Sequence, residues 1–332
     1  MGAKKIDGHR HVLCEEAIRA ASKLNPVKSI NIYPSGVHEK SEEINRKKGV
    51  EWTSKMSNFD ENVTDLKAAG MDMGVLQPTQ TMFFYWAEPS VAAELARMVN
   101  EFTAKGVRKY PEHFLGLATI PLQEVGLAVN ELTYAVQELG LRGVVTGSNV
   151  NGHGFDEEQF QQFFEKVEEL GLPIFIHPNN PAGTDRVGYY YLANFLAYPL
   201  ESTVTAAQLV FGGVLDRYPN LKICLSHAGG VLPFLLGRLE HGQSVRPEAQ
   251  QHCKRPFHYY LKNFYVDTIT FRADTLRFVL EIMPEGHVFM GTDYPYDMAD
   301  MDPVGSVRAA VTDEILQGKI FGENLSRIMD LS

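Results

Sequence analysis

Cysteine is scarce in this chain: Cys14, Cys224 and Cys253 are the only three in 332 residues, and no two form a CxxC pair. A disulfide scaffold and a thiolate zinc site are therefore not expected. Long apolar runs are missing too. No stretch reaches the about 18 consecutive apolar residues that a membrane-spanning helix needs. The opening residues, MGAKKIDGHRHV, lack the apolar core of a secretory signal. Positive charge is in deficit, with 31 Lys and Arg against 41 Asp and Glu and a formal net charge of -10. That balance argues against a nucleic-acid partner or an anionic membrane surface, both of which need a basic footprint. It leaves room for an acidic small molecule, because one local arginine is enough to clamp a carboxylate. Internal repeats, low-complexity tracts and domain linkers are also lacking, and no GxGxxG follows the first candidate strand, which weakens a dinucleotide-binding fold. A soluble cytoplasmic protein is the expectation.

What is present is alternation. Hydrophobic residues make up 44% and charged residues 22% of the chain, as in ordinary globular proteins. Short apolar or β-branched runs are followed repeatedly by longer amphipathic stretches, the pattern of βα units around a parallel sheet. Eight candidate strands fall at 5–9, 71–77, 114–119, 143–147, 173–177, 222–227, 264–268 and 288–292. Helical spacing is visible over 124–139, 156–170, 203–218 and 271–283; the last two stop before Pro219 and Pro284. Eight such units predict an α/β fold, a (β/α)8 TIM barrel with inserted loops, occupying 1–332 as a single domain; an open doubly wound sheet is the alternative. Three segments read as insertions: 12–58, a candidate lid; 178–200, rich in aromatics; and 242–262, which carries Arg246, His252 and His258.

The polar residues at the strand ends carry the functional signal. His9 and His11 end the first strand, His177 the fifth, His227 the sixth in LSHAGG, and Asp293 the eighth in GTDYP. One at a time, each has a plainer explanation: a solvated histidine pair, a satisfied core histidine, an aspartate in a turn. Together they all lie at the carboxyl ends of the strands, where barrel active sites are built. His287, at the start of the eighth strand, is the structural contrast. Imidazoles plus a carboxylate suit zinc, with manganese or iron also compatible, and leave a coordination position open. Asp267, at the end of the seventh strand, either orients a ligand histidine or caps a loop. Asp7 reads as a strand-end hydrogen-bonding group and Cys224 as a small buried hydrophobe.

DGHRH, FIHP, LSHAGG and GTDYP, in this order and spacing, resemble the amidohydrolase superfamily. With MFFYWAEP and GRLEHGQSVRP added, the chain is more closely similar to the branch of 2-amino-3-carboxymuconate-6-semialdehyde decarboxylases and related nonoxidative decarboxylases, from about residue 5 to about residue 330. The resemblance implies a divalent ion, zinc or manganese, held by His9, His11, His177 and Asp293, with His227 beside it as acid/base or electrostatic catalyst. It implies a homodimer in which Arg246 reaches the neighbouring subunit's site and grips a substrate carboxylate. Phe195 falls where relatives carry a tryptophan. Trp86 with its aromatic neighbours Phe83, Phe84 and Tyr85 is a candidate pocket wall, although an aromatic run after a strand is more often packing. A family arginine in the first insertion has no secure counterpart; Arg46, Lys47 and Lys48 are the basic residues there.

Chemistry narrows the activity. Decarboxylation leaves an electron pair on carbon, so the substrate must first become an electron sink by protonation or hydration. A histidine, titrating near neutrality, can move that proton, and His227 is the candidate, with Asp293 able to share the role. The leading expectation is a metal-dependent carboxy-lyase acting on a carboxylated aromatic or muconate-type acid. A hydrolase or hydratase on the same scaffold is the alternative, since fold and ligands alone do not separate these reactions. A barrel used only for binding would need the motif residues to be structural.

Overall fold

A computed structural model describes residues 4–25, 39–183 and 186–331. Eight parallel strands form its centre: β1 (Ile6–Val12), β2 (Met73–Pro78), β3 (Phe114–Gly116), β4 (Val144–Gly147), β5 (Pro173–His177), β6 (Lys222–Leu225), β7 (Phe264–Asp267) and β8 (Val288–Phe289). Continuous ladders run β1-β2-β3 and β4-β5-β6-β7-β8. Two isolated parallel bridges join these arcs, Ala118 with Val144 and Arg10 with Tyr294. Backbone bonds reinforce both joints: Val145 N–H donates to Ala118 at 2.8 Å, Gly8 N–H to Met290 at 2.8 Å and His11 N–H to Tyr294 at 2.9 Å. The ring is therefore closed, an α/β barrel as expected. Runs such as PIFIH and KICL are almost entirely apolar because such strands are covered on both faces, by barrel interior and by helices.

Helices occupy the outside. They are α1 (Glu15–Leu24), α2 (Glu39–Ser57), α3 (Phe59–Ala68), α4 (Pro89–Lys109), α5 (Val125–Gln137), α6 (Gln161–Glu169), α7 (Tyr198–Phe211), the short α8 (Val214–Arg217), α9 (Leu232–Val245), α10 (Ala273–Ile282) and α11 (Pro303–Ala310). Their starts follow from local chemistry. Asn58 Oδ1 accepts from Asp60 N–H at 3.0 Å, and the Glu124 carboxylate accepts from Leu127 N–H at 2.6 Å. Proline stands in the first turn of α4 and α11, where its missing N–H costs nothing. α4 buries Ala92, Leu95, Ala96, Val99 and Thr103, one helical face.

Two helical regions went unread in the sequence. The first insertion, where described, contains α1 and the whole of α2, while 26–38 lies outside the described residues, as do 184–185 of the second insertion. The longest helix, α4, spans a region to which sequence periodicity assigned no element. Among the described residues no helix is long and apolar enough to cross a membrane.

Candidate metal centre

Four strand ends deliver the site. Alternation along β1 sends His9 and His11 into the barrel interior and Arg10, between them, towards α3. His177 closes β5. After β6, His227 and Ala228 take left-handed backbone angles, φ +57° and +56°, in a turn completed by Gly230 at φ +66°. A Cβ on Gly230 would stand 1.9 Å from the Pro199 carbonyl oxygen, so the second glycine of LSHAGG is required by space as well as by angle. Asp293, also left-handed at φ +65°, follows β8. Gly291 lets this segment pass between β1 and β7: a Cβ there would lie 2.9 Å from His9 Cβ and 3.0 Å from Asp267 Cβ.

His9, His11, His177 and Asp293 are all buried, and each offers one ligand atom within 4.8 Å of the others. His11 Nε2 lies 2.9 Å from Asp293 Oδ1, and His9 Nε2 lies 3.5 Å from the same oxygen. His227 joins the group: its ring centroid is 5.2 Å from that of His177, and its Nε2 is 3.6 Å from Asp293 Oδ2. The donor set suits a divalent ion. His9 Nε2 and His11 Nδ1 are buried without a hydrogen-bond partner. The Nδ1 atoms of His9 and His177 are occupied by Asp267 Oδ2 at 2.9 Å and by the Pro178 carbonyl at 3.1 Å, which leaves Nε2 as the lone pair of each ring. Three buried imidazoles and a carboxylate converging at one point are ligands suited to a divalent transition-metal ion.

The charge states of His177, His11 and Asp293 fit as well, while His9 is held towards its protonated form by the acids around it. Burial, reinforced by neighbouring imidazoles, holds His177 well below the ordinary histidine range, so its lone pair is available. Burial also lowers His11 against the pull of Asp293. For His9, burial acts downward, but the Asp267 hydrogen bond and the Asp293 charge outweigh it and raise the value. Burial would push Asp293 up; hydrogen bonding to His11 and His227 instead keeps it well below the carboxylate range and ionised. An anionic oxygen ligand is thus present at neutral pH.

Asp267 makes both kinds of contact the sequence left open, one to a candidate ligand and one to a loop. Its Oδ2 accepts from His9 Nδ1 at 2.9 Å and from the His227 backbone N–H at 2.9 Å. Its Oδ1 accepts from Ala228 N–H at 2.8 Å and Ile269 N–H at 3.1 Å. One fully buried carboxylate therefore fixes the His9 ring, a candidate ligand, and holds the left-handed turn that presents His227. Asp7 bonds the strand ends, accepting from His9 N–H at 3.1 Å and from Thr292 Oγ1 at 2.7 Å.

A cavity of about 450 Å³ opens beside His227 and Asp293, walled by Phe195, Tyr198, Ile269, Phe278 and Met298 among others. Among the described residues no lysine or arginine lines it. Of the candidate substrate residues, Phe195 stands on this wall. Trp86 does not: it is half-buried in a separate cluster with Met82, Phe84 and residues of α1 and α4. The turn after β2 directs it to the packing layer, and the tandem aromatics of MFFYWAEP gave no signal of that direction. Arg246 is exposed at the end of α9, outside its own chain's cavity. In α2, Arg46 lines an outer groove with Glu15 and Lys105, and Lys47 pairs with Glu43 at 2.7 Å. Lys48 is exposed on α2; burial raises the Asp297 carboxyl, and the Lys48 charge opposes that rise.

Two aromatics escaped the sequence. Tyr296 sets its ring edge-on to His11 at 5.1 Å and bonds Thr79 through its hydroxyl at 2.6 Å, and Trp52 of α2 packs on Tyr296 at 5.5 Å. Tyr296 lies three residues beyond Asp293, a hint that DYPY contained; Trp52 had none, since α2 shows little apolar periodicity.

With this geometry established, comparison with known proteins gives the family. A family model described as amidohydrolase matches residues 6–328. The chain belongs to the amidohydrolase family. It is 37% identical over 246 residues to the 2-amino-3-carboxymuconate-6-semialdehyde decarboxylase of Dictyostelium discoideum, covering 74% of this chain and 68% of that one. The structure of a dihydroxybenzoic acid decarboxylase from Polaromonas sp. JS666, with bound manganese and the inhibitor 2-nitroresorcinol, superposes with a TM-score of 0.84 at 27% identity, over 99% of this chain and 97% of that one. The 5-carboxyvanillate decarboxylase of Sphingomonas paucimobilis gives 0.85 at 26% identity, over 99% and 100%. Its amidohydrolase relatives thus include metal-dependent nonoxidative decarboxylases of small acids.

Proposed function

We propose that this amidohydrolase is a nonoxidative decarboxylase, a single barrel domain that removes CO2 from a small carboxylated aromatic or muconate-type acid. The observation that carries the reading is the convergence of His9, His11, His177, Asp293 and His227 at one end of an aromatic-walled cavity. Its similarity to decarboxylases supports the choice over hydrolysis. His9, His11, His177 and Asp293 are the proposed ligands. Zinc suits this imidazole-rich set, and manganese, present in a relative's structure, is the other ion to load. When bound, the ion supplies Lewis acidity towards an oxygen of the acid. The chain's own residues do the rest. Phe195 and Tyr198 flank the ring, and the apolar wall excludes water. His227, with Asp293, delivers a proton to the carbon bearing the carboxylate. That carbon then has four bonds and the ring is an electron sink. The bond to CO2 breaks, and its electron pair restores conjugation.

The homodimer and the trans role of Arg246 belong to the same proposal. Leu196, Leu200 and Val204 form an exposed apolar stripe leading into and along α7, and Phe234 on α9, 78% exposed, and Phe278 on α10 add to apolar surface near the cavity mouth. A face of this kind on an otherwise charged chain suits burial against a second copy. Lys48, beside Asp297, is the proposed cation from the chain itself. Three buried, unpaired cysteines accord with a reducing, cytoplasmic setting.

The test is a panel of carboxylated phenols and muconate-type acids offered to the zinc- and manganese-loaded protein, following CO2. Release is expected, with loss on chelation and return on metal addition. Amide or ester hydrolysis without CO2 from any acid would overturn the reading. Trans complementation tests Arg246. R246M and H227N homodimers should each be nearly inactive, and random re-association should restore about a quarter of wild-type activity, because half the dimers then hold one complete site. Failure to complement in a demonstrated heterodimer removes the trans role.

A further inference from the structure

Arg10 is 1% exposed, among the largest fully buried side chains in the molecule. It stands between two proposed ligands on β1 and points the other way, and nothing in the proposed reaction uses it. A buried guanidinium is costly unless its donors are served, and replacing a buried ionic group with apolar residues of similar volume is often neutral or stabilising. Its retention here calls for a geometric reason. Nε donates to Asn62 Oδ1 at 2.6 Å, one terminal nitrogen to the Asn62 carbonyl at 2.8 Å, and the other to Asp7 Oδ2 at 3.3 Å. The guanidinium carbon lies 3.6 Å from the ring centroid of Tyr294. Tyr294 Oη donates to Asp65 Oδ2 at 2.6 Å, so α3 anchors both the arginine and the ring stacked on it.

These contacts join two segments that must keep their distance. Tyr294 directly follows Asp293, whose left-handed backbone is unfavourable for a residue other than glycine. Arg10 lies between His9 and His11. The bridge between Arg10 and Tyr294 is also where the barrel closes beyond β8. Asp7 supplies the second tie, accepting from Arg10 and from both the backbone N–H and the hydroxyl of Thr292. The planar fork of arginine can hold a carboxylate, an amide and an aromatic face at fixed angles at once; lysine cannot.

We infer that Arg10 is a positioning residue: through Tyr294, Asp7 and Asn62 it clamps Asp293 against His9 and His11 from behind the site and sets the separation of the ligand atoms. This rests on the assignment of those residues as metal ligands. The test compares wild type, R10M, R10K and Y294L for zinc and manganese affinity by chelator competition, for melting temperature with and without metal, and for kcat and KM at saturating metal. R10M is expected to keep its fold and lose about 10–100-fold in metal affinity, as other residues supporting metal ligands do. At saturating metal its kcat should fall more than its KM rises, and R10K should not rescue either. Y294L, which leaves the Arg10–Asp7 pair in place, should shift metal affinity in the same direction and provides the comparison should R10M not fold. Wild-type metal affinity in R10M, or in Y294L where R10M does not fold, overturns the inference, as does a loss of melting temperature without a change in affinity. A wild-type protein that binds neither ion would instead remove the assignment beneath it.

Discussion

Replacement of His227 by asparagine is expected to lower turnover by about 10²–10⁴-fold, the usual contribution of a positioned proton-transfer group, with little effect on metal affinity. Asparagine is the substitution of choice for a structural reason. His227 has φ +57°, a region that asparagine tolerates better than most residues, so the turn held by Asp267 survives while the imidazole is lost. Alanine would confound chemistry with strain. The separation from metal binding follows from the geometry: the four proposed ligand atoms lie within 4.8 Å of one another without His227, whose Nε2 stands 3.6 Å from Asp293 Oδ2. Single-turnover CO2 release, measured beside zinc and manganese affinity, checks both halves. An H227N protein that turns over within a few-fold of wild type would exclude His227 as the proton donor. One that loses its metal would make His227 a ligand.

The strand ends were legible in the sequence for a definite reason. Parallel strands covered on both faces read as short apolar runs, so a histidine or aspartate at the last position, as in PIFIH or FYVD, stands out against its own strand. His177 emerged in this way, and His9, His11, His227 and Asp293 emerged by sharing its end of the barrel. Barrel closure followed from the count of eight βα units, but its joints, single bridges at Ala118–Val144 and Arg10–Tyr294 and not a ladder, were not legible. α2 was hidden by its charge, and α4 by the aromatics before it, which suggested a pocket wall and drew Trp86 into the candidate substrate set. Contacts across the barrel were hidden altogether. Asp267 and His9 are 258 residues apart in the chain, and no local pattern announces that one carboxylate serves a histidine on β1 and a turn after β6.

That shared carboxylate yields the other large expected effect. In D267N the side chain can still accept from Ala228 and Ile269 through its one remaining oxygen. The amide nitrogen then replaces Oδ2 and presents N–H groups to two donors, His9 Nδ1–H and the His227 backbone N–H. Each mismatched buried donor costs about 1–3 kcal/mol. His9 can escape only by moving its proton to Nε2, the nitrogen that faces the other ligands, or by rotating away from them. Both routes weaken metal binding, by about 10–100-fold for residues in this supporting position. The His227 turn is released at the same time, so kcat should remain depressed even when added metal saturates the site. H227N should impair only turnover, whereas D267N should impair affinity and turnover together, because one aspartate holds both a ligand and the proton donor. Chelator competition and steady-state rates at saturating manganese distinguish the two. Wild-type metal affinity in D267N would mean that the His9–Asp267 hydrogen bond does not set the ligand's tautomer, and recovery of full kcat with excess metal would mean that the His227 turn stands without it.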